Sequence, residues 1–326
     1  MESESIMFSI GIDLGGTNIA IGLCDGELNI IDKDSIPTRR ERDAEEIVKD
    51  MAALTMKIVD RNKLVAENID YVGIAAPGTI NSQSGIVEYC NNIKMLDFPL
   101  VECFKKYCPV GKVYIANDAN AAALGESLAG SGKGAPTLVM ITLGTGVGGG
   151  VILDGKIFAG GQSPAGTELG HTVIVAGGRQ CSCGRRGCWE AYSSATALTE
   201  MTKERMAELE AGAIPSLLFE EEKKRGKVSA RTAFDAMKRG DEIAKELVDD
   251  YIEYLAAGIT NMINIFQPHI LSIGGGVCNE GEGLTRPLIE IVEREQYTRN
   301  SPKKTKVVIA SLGNDAGIIG AAGLGR

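Results

Sequence analysis

At 326 residues, the chain is long for a single hydrophobic core, and its length predicts two domains. Its composition, 44% hydrophobic and 24% charged, is that of a soluble globular protein, and its net charge of −9 disfavours nucleic acid as a main partner. The sequence has neither an apolar run long enough to cross a bilayer nor a secretory signal, and it therefore predicts a cytoplasmic protein with no membrane partner.

The first predicted element is a hairpin with a glycine turn. Apolar strands are predicted over residues 6–13 and 18–24, and Leu14-Gly15-Gly16-Thr17 forms the turn between them. The backbone N–H groups of such a turn, with the Thr17 hydroxyl, are suited to bind phosphate oxygens, and Asp13 is suited to hold hydrated Mg²⁺. A hairpin that binds no ligand explains the same residues, and the motif alone does not distinguish these two interpretations.

Two interpretations of Asp118 follow from its place in the chain. A helix is predicted over residues 43–60 and buried strands over 69–75 and 112–116, the last of which leads into Asn117-Asp118 and a helix of small residues. Aspartate is favoured as a helix N-cap, and the dipeptide alone favours that interpretation. A partly desolvated carboxylate at the end of an apolar strand is also suited to act as a general base.

A second hairpin, over residues 137–155, repeats the first. Thr142-Leu143-Gly144 matches Asp13-Leu14-Gly15, and Asp154-Gly155 matches Asp25-Gly26, both at an offset of 129 residues (142 − 13 and 154 − 25). Two turns matched at one register indicate an internal duplication. The duplication predicts two similar domains that face each other, so that two glycine turns hold one polyphosphate.

The C-terminal half predicts further helices and a third glycine run. Helices are predicted over residues 193–212 and 241–266, with a solvated charged stretch over 220–229 between them. A strand then leads into Gly274-Gly275-Gly276, where the backbone either approaches a bulky ligand or makes a tight turn.

A cysteine-rich loop predicts a metal site. His171, Cys181, Cys183 and Cys188 follow the pattern H-x9-C-x-C-x4-C, and three thiolates with one imidazole form a closed structural zinc set. Glu168 and Glu190 flank these ligands, so a bound metal would fix both carboxylates at the rim of the loop. The remaining cysteines are scattered in apolar sequence surroundings, and this pattern predicts that they are reduced and buried.

Together these motifs resemble the ROK family of sugar kinases and repressors, and bacterial ROK glucokinases in particular. The resemblance spans the chain and rests on DLGGT (13–17), ND (117–118), LGTGVGGG (143–150), ExGH (168–171), CxCGxxGCxE (181–190) and GGGV (274–277). It implies an α/β fold of two actin-like ATPase (ribonuclease H-like) domains with a cleft between them. The smaller domain would comprise residues 1–117 and 312–326, and the larger one residues 118–311 with the zinc loop.

The resemblance also implies a role for each motif. Asp118 is expected to be the general base that takes the proton of the sugar 6-hydroxyl. The expected sugar-binding residues are Asn92, Asn117, Asp118, Glu168, His171 and Glu190. The expected phosphate-binding residues are Gly15, Gly16, Thr17, Thr145 and Gly146. Gly275 is expected to line the adenosine pocket of ATP, and Asp13 to position Mg²⁺, while His171 both binds Zn²⁺ and touches the sugar.

The implied activity is ATP-dependent phosphorylation of glucose to glucose 6-phosphate by a homodimer. The main alternative is a kinase for mannose, fructose, allose or N-acetylmannosamine; the ExGH motif and Glu190 favour an unmodified 2-hydroxyl without fixing stereochemistry. A regulator that binds sugar without phosphorylating it is less favoured, because only 12 residues precede Asp13 and a DNA-binding segment does not fit there. The motifs leave polyphosphate and ADP open as donors.

Overall fold

The computed structural model describes residues 7–161 and 166–326, so Ile6 of the first predicted strand lies outside the described residues. The chain forms two compact units. Unit 1 comprises Met1–Met140, Gly150–Thr167 and Ala310–Arg326, and unit 2 comprises Ile141–Gly149 and Glu168–Ile309. The helix after Asn117 lies in unit 1, whereas the predicted boundary assigns it to the larger domain; the division into domains stays a prediction.

The described residues form strands and helices with the following bounds. The strands are β1 Phe8–Leu14, β2 Asn18–Cys24, β3 Ile30–Pro37, β4 Ile69–Ala76, β5 Thr79–Asn81, β6 Ile86–Cys90, β7 Met95–Phe98, β8 Val113–Asn117, β9 Thr137–Leu143, β10 Val147–Leu153, β11 Lys156–Ile157, β12 Ile270–Gly274 and β13 Lys306–Ile309. The helices are α1 Ala44–Arg61, α2 Leu100–Tyr107, α3 Asp118–Leu128, α4 Glu190–Ser193, α5 Ala195–Ala211, α6 Leu217–Arg225, α7 Ala230–Lys238, α8 Glu242–Phe266, α9 Glu282–Glu295 and α10 Ala316–Ala322.

Two five-stranded sheets share one topology. Their strand orders are β3-β2-β1-β4-β8 and β11-β10-β9-β12-β13, so each begins with an antiparallel hairpin and ends with parallel strands. The bounds of β9 and β10 lie 129 residues after those of β1 and β2 (137 − 8 and 153 − 24). The structure therefore confirms the duplicated hairpin and the α/β class. A third sheet has the order β5-β6-β7.

The core of unit 1 lies between the sheet and helix α1. Ile10, Ile12 and Leu14 of β1 are fully buried, as are Ile47 and Ile58 of α1. The predicted helix over residues 43–60 is confirmed, because its apolar residues recur at helical spacing and bury one face. Helix α10 packs against α3, β1 and β4, as expected for a segment of small residues.

Unit 2 is built around helix α8. Asp241 Oδ1 accepts a hydrogen bond from the Ala244 N–H at 2.8 Å, which caps the predicted helix. Residues 220–225 lie in α6, where Glu220 and residues 223–225 are exposed as predicted. Glu221 is fully buried with Oε1 2.8 Å from Arg239, so the prediction of a solvated stretch is wrong at this residue. Along the described ranges, no helix is both long and apolar enough to cross a membrane.

Candidate functional site

In unit 1, the first glycine turn is held by a buried threonine just beyond β3. The Thr38 hydroxyl donates to the Gly15 carbonyl at 2.6 Å, and the Thr38 N–H donates to the Thr17 carbonyl at 2.8 Å. Gly15 closes the turn by donating its N–H to the Asn18 carbonyl at 3.0 Å. Thr38 is 0% exposed, while the Thr17 side chain is exposed. The turn is therefore fixed from behind and open on the side of Thr17.

Asp13 lies near the end of β1, before this turn. Burial and, to a smaller extent, the negative charge of Asp118 together raise its pKa to about 6. The charge of Asp118 therefore acts on Asp13, and a cation bound beside Asp13 would stabilise its charged form.

Asn117, and not Asp118, caps helix α3. Asn117 Oδ1 accepts hydrogen bonds from the N–H groups of Ala119 and Asn120 at 3.0 and 3.2 Å, and its Nδ2 donates to the Gly78 carbonyl at 3.1 Å. The interpretation of Asp118 as the N-cap is therefore wrong. The Asn117 side chain also hydrogen-bonds the Asp118 carboxylate, and its expected contact with sugar stays a prediction.

Asp118 is the first residue of α3, and its side chain is accessible to solvent. Desolvation by the surrounding protein raises the pKa of Asp118, and a hydrogen bond from the Ala119 N–H, 2.8 Å from Oδ1, opposes this shift. A solvent-accessible carboxylate with a raised pKa is suited to accept a proton. Asn92 is exposed in the turn after β6, and its Cβ lies 3.8 Å from the position that a Cβ on Gly16 would take.

In unit 2, the second glycine turn is held by the start of helix α5. The Ala195 N–H donates to the Gly144 carbonyl at 2.9 Å, and the Thr196 hydroxyl donates to the Thr145 carbonyl at 2.7 Å. Ser194 caps α5 by accepting a hydrogen bond from the Ala197 N–H at 3.0 Å. The positive end of the α5 helix dipole therefore lies beside this turn, where it favours anions.

A cavity of about 470 Å³ opens beside the second glycine turn. Its wall includes the turn itself and the first residues of helices α5 and α7. The other side is formed by the segment after β12. The lining residues are Leu143, Gly144, Thr145, Ala195, Thr196, Thr199, Ser229, Ala230, Arg231, Phe234, Gly276, Val277, Asn279 and Glu280.

The backbone conformation and the surroundings of Gly275 require a glycine. Its φ is +98°, and a Cβ at this position would lie 2.3 Å from the Leu143 carbonyl oxygen. The backbone at Gly275 therefore approaches strand β9, while Gly276 and Val277 line the cavity. The glycine run thus brings Gly276 and Val277 into the cavity wall, whereas Gly275 is not among the lining residues. The expected contact of Gly275 with adenosine stays a prediction.

The four predicted metal ligands converge in unit 2. The ligand atoms of His171, Cys181, Cys183 and Cys188 all lie within 4.8 Å of one another. Cys181 Sγ lies 3.6 Å from His171 Nδ1, and Cys183 Sγ lies 3.6 Å from Cys188 Sγ. A tetrahedral zinc site with Zn–S bonds of about 2.3 Å has ligand–ligand distances of about 3.8 Å. The residues present therefore fit a structural Zn²⁺.

The pKa values of two of these thiols are shifted in opposite directions. The Arg185 N–H lowers the pKa of the exposed Cys183 thiol, whereas burial raises the pKa of Cys188 to about 12. A buried thiolate at Cys188 needs a positive charge beside it, and a bound metal provides one.

Glu190 links the cysteine loop to the second glycine turn. Its Oε1 accepts a hydrogen bond from the Ser182 hydroxyl at 3.2 Å and lies 3.8 Å from Cys181 Sγ, and its Oε2 accepts the Val147 N–H at 3.1 Å. The preceding residue, Trp189, is fully buried against α8, where a Cβ on Gly258 would lie 2.0 Å from the indole ring. The buried indole therefore anchors Glu190.

Glu168 is exposed, and its carbonyl accepts the His171 N–H at 3.1 Å in a short 3₁₀ turn. Thr145 and Gly146 belong to the second turn, and a Cβ on Gly146 would lie 2.3 Å from Glu190 Oε2. The predicted residues of unit 2 are therefore grouped around this turn and the cysteine loop.

Sequence reasoning missed Thr38 and most of the cavity wall in unit 2. Arg231 lines the cavity 3.8 Å from the Glu280 carboxylate, which also bonds Lys238 at 2.6 Å. The stretch ARTAFDA, which contains Arg231 and Phe234, resembles the family, and that resemblance was the available signal for these two residues. Thr38 follows strand β3 without any motif.

Residues 9–326 match the model of the ROK family. The chain is 38% identical to a glucokinase of Thermotoga maritima over 317 residues, which cover 97% of this chain and 96% of that protein. It is 32% identical to a ROK family glucokinase of Streptomyces griseus in complex with glucose and AMPPNP, with a TM-score of 0.77 and coverage of 97% and 98% of the two chains. A ROK hexokinase of Thermus thermophilus gives a TM-score of 0.80 at 30% identity, with 97% of both chains covered. These similarities confirm the predicted family and fold, and the chain belongs to the ROK family.

Proposed function

We propose that this chain is a glucokinase that transfers the γ-phosphoryl group of ATP to the 6-hydroxyl of glucose, with Asp118 as general base. The similarity to curated glucokinases over almost the whole chain supports this activity. The observation that supports the mechanism is the state of Asp118: Asn117 caps α3, and the Asp118 carboxylate is accessible to solvent and has a raised pKa.

Asp118 accepts the proton of the 6-hydroxyl as that oxygen attacks the γ-phosphorus. A positioned base of this kind contributes about 10²- to 10⁴-fold to the rate. Phosphoryl transfer otherwise depends on positioning and on neutralising charge, which backbone N–H groups supply without side-chain chemistry. The turn at Gly15, Gly16 and Thr17 performs this task in unit 1, where Thr38 fixes its backbone.

The nucleotide occupies the cavity beside the second glycine turn. Its volume of about 470 Å³ is in the range of small-molecule sites, and its wall offers both apolar and polar groups. The phosphates lie against Thr145 and Gly146, where the start of α5 favours negative charge. Gly276 and Val277 face the adenosine.

Two metals fit residues of this chain. Asp13 would hold Mg²⁺, which neutralises phosphate charge when it is bound with ATP. Zn²⁺ would be held by His171, Cys181, Cys183 and Cys188, and it would fix the loop that carries Glu168 and Glu190. These two carboxylates, with His171 and Asn92, bind the sugar hydroxyls.

Glucose is preferred over other hexoses on the strength of the relatives and of the ExGH motif. A panel assay tests this preference: ADP release with Mg²⁺-ATP is measured for glucose, mannose, fructose, allose and N-acetylmannosamine. The proposal predicts the highest kcat/KM with glucose. A higher kcat/KM with another hexose would overturn the substrate assignment, and measurable glucose binding without ADP release would overturn the kinase assignment.

The family resemblance also supports a homodimer. Light scattering after size exclusion tests this, because a dimer of the 34.5 kDa chain has twice the monomer mass. A monomer mass at the concentration of the kinetic assay would contradict it.

A further inference from the structure

A second cavity, of about 430 Å³, lies in unit 1 along strand β8 and helix α3. Strand β8 is the last strand of its sheet, and within residues 7–161 and 166–326 no further strand pairs with its outer edge. The segment around β11 and the residues after α10 complete the wall. Neither Asp13 nor Asp118 lines this cavity, and Asn117 is the one residue that it shares with the expected sugar-binding set.

The wall is mostly apolar and includes the buried side-chain oxygen of Asn120. Ile115, Leu124 and Ile157 are among the lining residues. Asn120 also lines the cavity; it is 4% exposed, and its Oδ1 has no hydrogen-bond partner among the residues that the structure describes. Buried side-chain oxygens in native proteins are almost always paired, so an unpaired one in a cavity wall indicates a missing donor. An occupant with an N–H or O–H group would supply that donor.

The charge of the wall favours an anion. Lys156 is exposed at the cavity and forms no ion pair within residues 7–161 and 166–326. Arg326 is a second basic residue in the wall, and no aspartate or glutamate occurs among the described lining residues. A negatively charged group near Lys156 would therefore meet favourable charge.

We propose that this cavity is an effector site for a small organic anion. Its ring-sized apolar body fills the cavity, its N–H or O–H donates to Asn120 Oδ1, and its charge faces Lys156. A volume of about 430 Å³ suits such a ligand. Asn120 lies in the first turn of α3, and its N–H donates to Asn117 Oδ1 at 3.2 Å. The occupant therefore contacts the turn that begins at Asp118; its effect on turnover rests on the proposed kinase function.

The probe for the binding experiment is 8-anilinonaphthalene-1-sulfonate, which combines aromatic rings, one N–H donor and a sulfonate. Its fluorescence is titrated with saturating glucose and AMPPNP present, so that the substrate sites are blocked. We expect one saturable site in the wild type. Lys156→Glu should raise the Kd about fivefold, the effect of reversing one exposed charge. Ala159→Trp, which adds an indole at the cavity wall, should raise it at least about tenfold.

The matched control is Lys133→Glu, which reverses another exposed lysine of unit 1 outside the cavity and should leave the Kd within about twofold. Absence of saturable binding, or the same Kd in all variants, would overturn the site. Lys156→Glu changes only an exposed side chain, so the test does not depend on the folding of Ala159→Trp.

Kinetics test the effector role. Saturating dye should change kcat at least about twofold in the wild type and leave it unchanged in Ala159→Trp. Localised binding with an unchanged kcat would overturn the effector role. Dye titration needs no turnover, so failure of the proposed kinase function would be recognised separately.

Discussion

The hydrogen bond from Thr38 to the first glycine turn can be tested by removing one hydroxyl group. Thr38→Val removes the hydroxyl that donates to the Gly15 carbonyl at 2.6 Å and keeps the side-chain shape. The Thr38 side chain is fully buried, so a valine there places an apolar group against the Gly15 carbonyl where the hydroxyl donated. The expected loss is about 1–2 kcal/mol, which corresponds to a factor of about 5–30 in an equilibrium or a rate.

If the turn binds phosphate, Thr38→Val should lower the catalytic efficiency as well as the free energy of unfolding. We expect kcat/KM for Mg²⁺-ATP to fall by about five- to thirtyfold, because the N–H groups of the turn are no longer held in position. The measurement is ADP release against ATP concentration at saturating glucose, together with thermal unfolding. Thr38→Ser keeps the hydroxyl and should restore most of the activity.

Thr55→Val is the matched control. Thr55 is also fully buried in unit 1, and its hydroxyl donates to the Met51 carbonyl at 2.9 Å within α1. This variant should lower stability without changing kcat/KM for ATP. Wild-type kcat/KM in Thr38→Val, with a stability loss like that of Thr55→Val, would refute the reasoning.

Three further predictions concern the metal sites and pH. Cys183→Ser should lose most of its bound zinc in elemental analysis and raise the KM for glucose, whereas Cys278→Ser, outside the cluster, should keep its zinc. Asp13 must be ionised to hold Mg²⁺, so kcat/KM for ATP should fall as the pH drops through about 6; an equal profile in Asp13→Asn would contradict this role. Burial opposes ionisation of Glu126, but hydrogen bonds from the N–H groups of Leu312 and Ser131 outweigh it and lower the pKa of this carboxyl. The ionised carboxylate therefore stabilises the fold at a pH above its unfolded pKa of about 4.3. Glu126→Gln should therefore unfold more easily at pH 7, with a difference from wild type that shrinks below about pH 4; a constant difference would contradict the assignment.

The sequence predicts the hairpins well, because their signals are local. Apolar alternation and glycine turns define β1, β2, β9 and β10, and the repeat offset matches the observed strand bounds. The cysteine cluster is equally local, since its spacing alone brings four ligands together.

Other features depend on packing that no short pattern records. Asn117 caps α3 because its amide also bonds the Gly78 carbonyl, so its neighbour Asp118 is released from that role. Glu221 is buried because Arg239, distant in sequence, pairs with it. Gly275 is required by the approach of Leu143. In each case the partner lies far along the chain, and only the folded structure identifies it.

Asp118→Asn tests the central claim most directly, because it keeps the side-chain size and an oxygen for the Ala119 N–H while it removes the base. Turnover of glucose with Mg²⁺-ATP and the Kd for glucose are measured on the same preparation. The predicted result is a kcat lower by about 10²- to 10⁴-fold with a glucose Kd within about threefold of wild type. A kcat close to that of the wild type would contradict the assignment of Asp118 as the base.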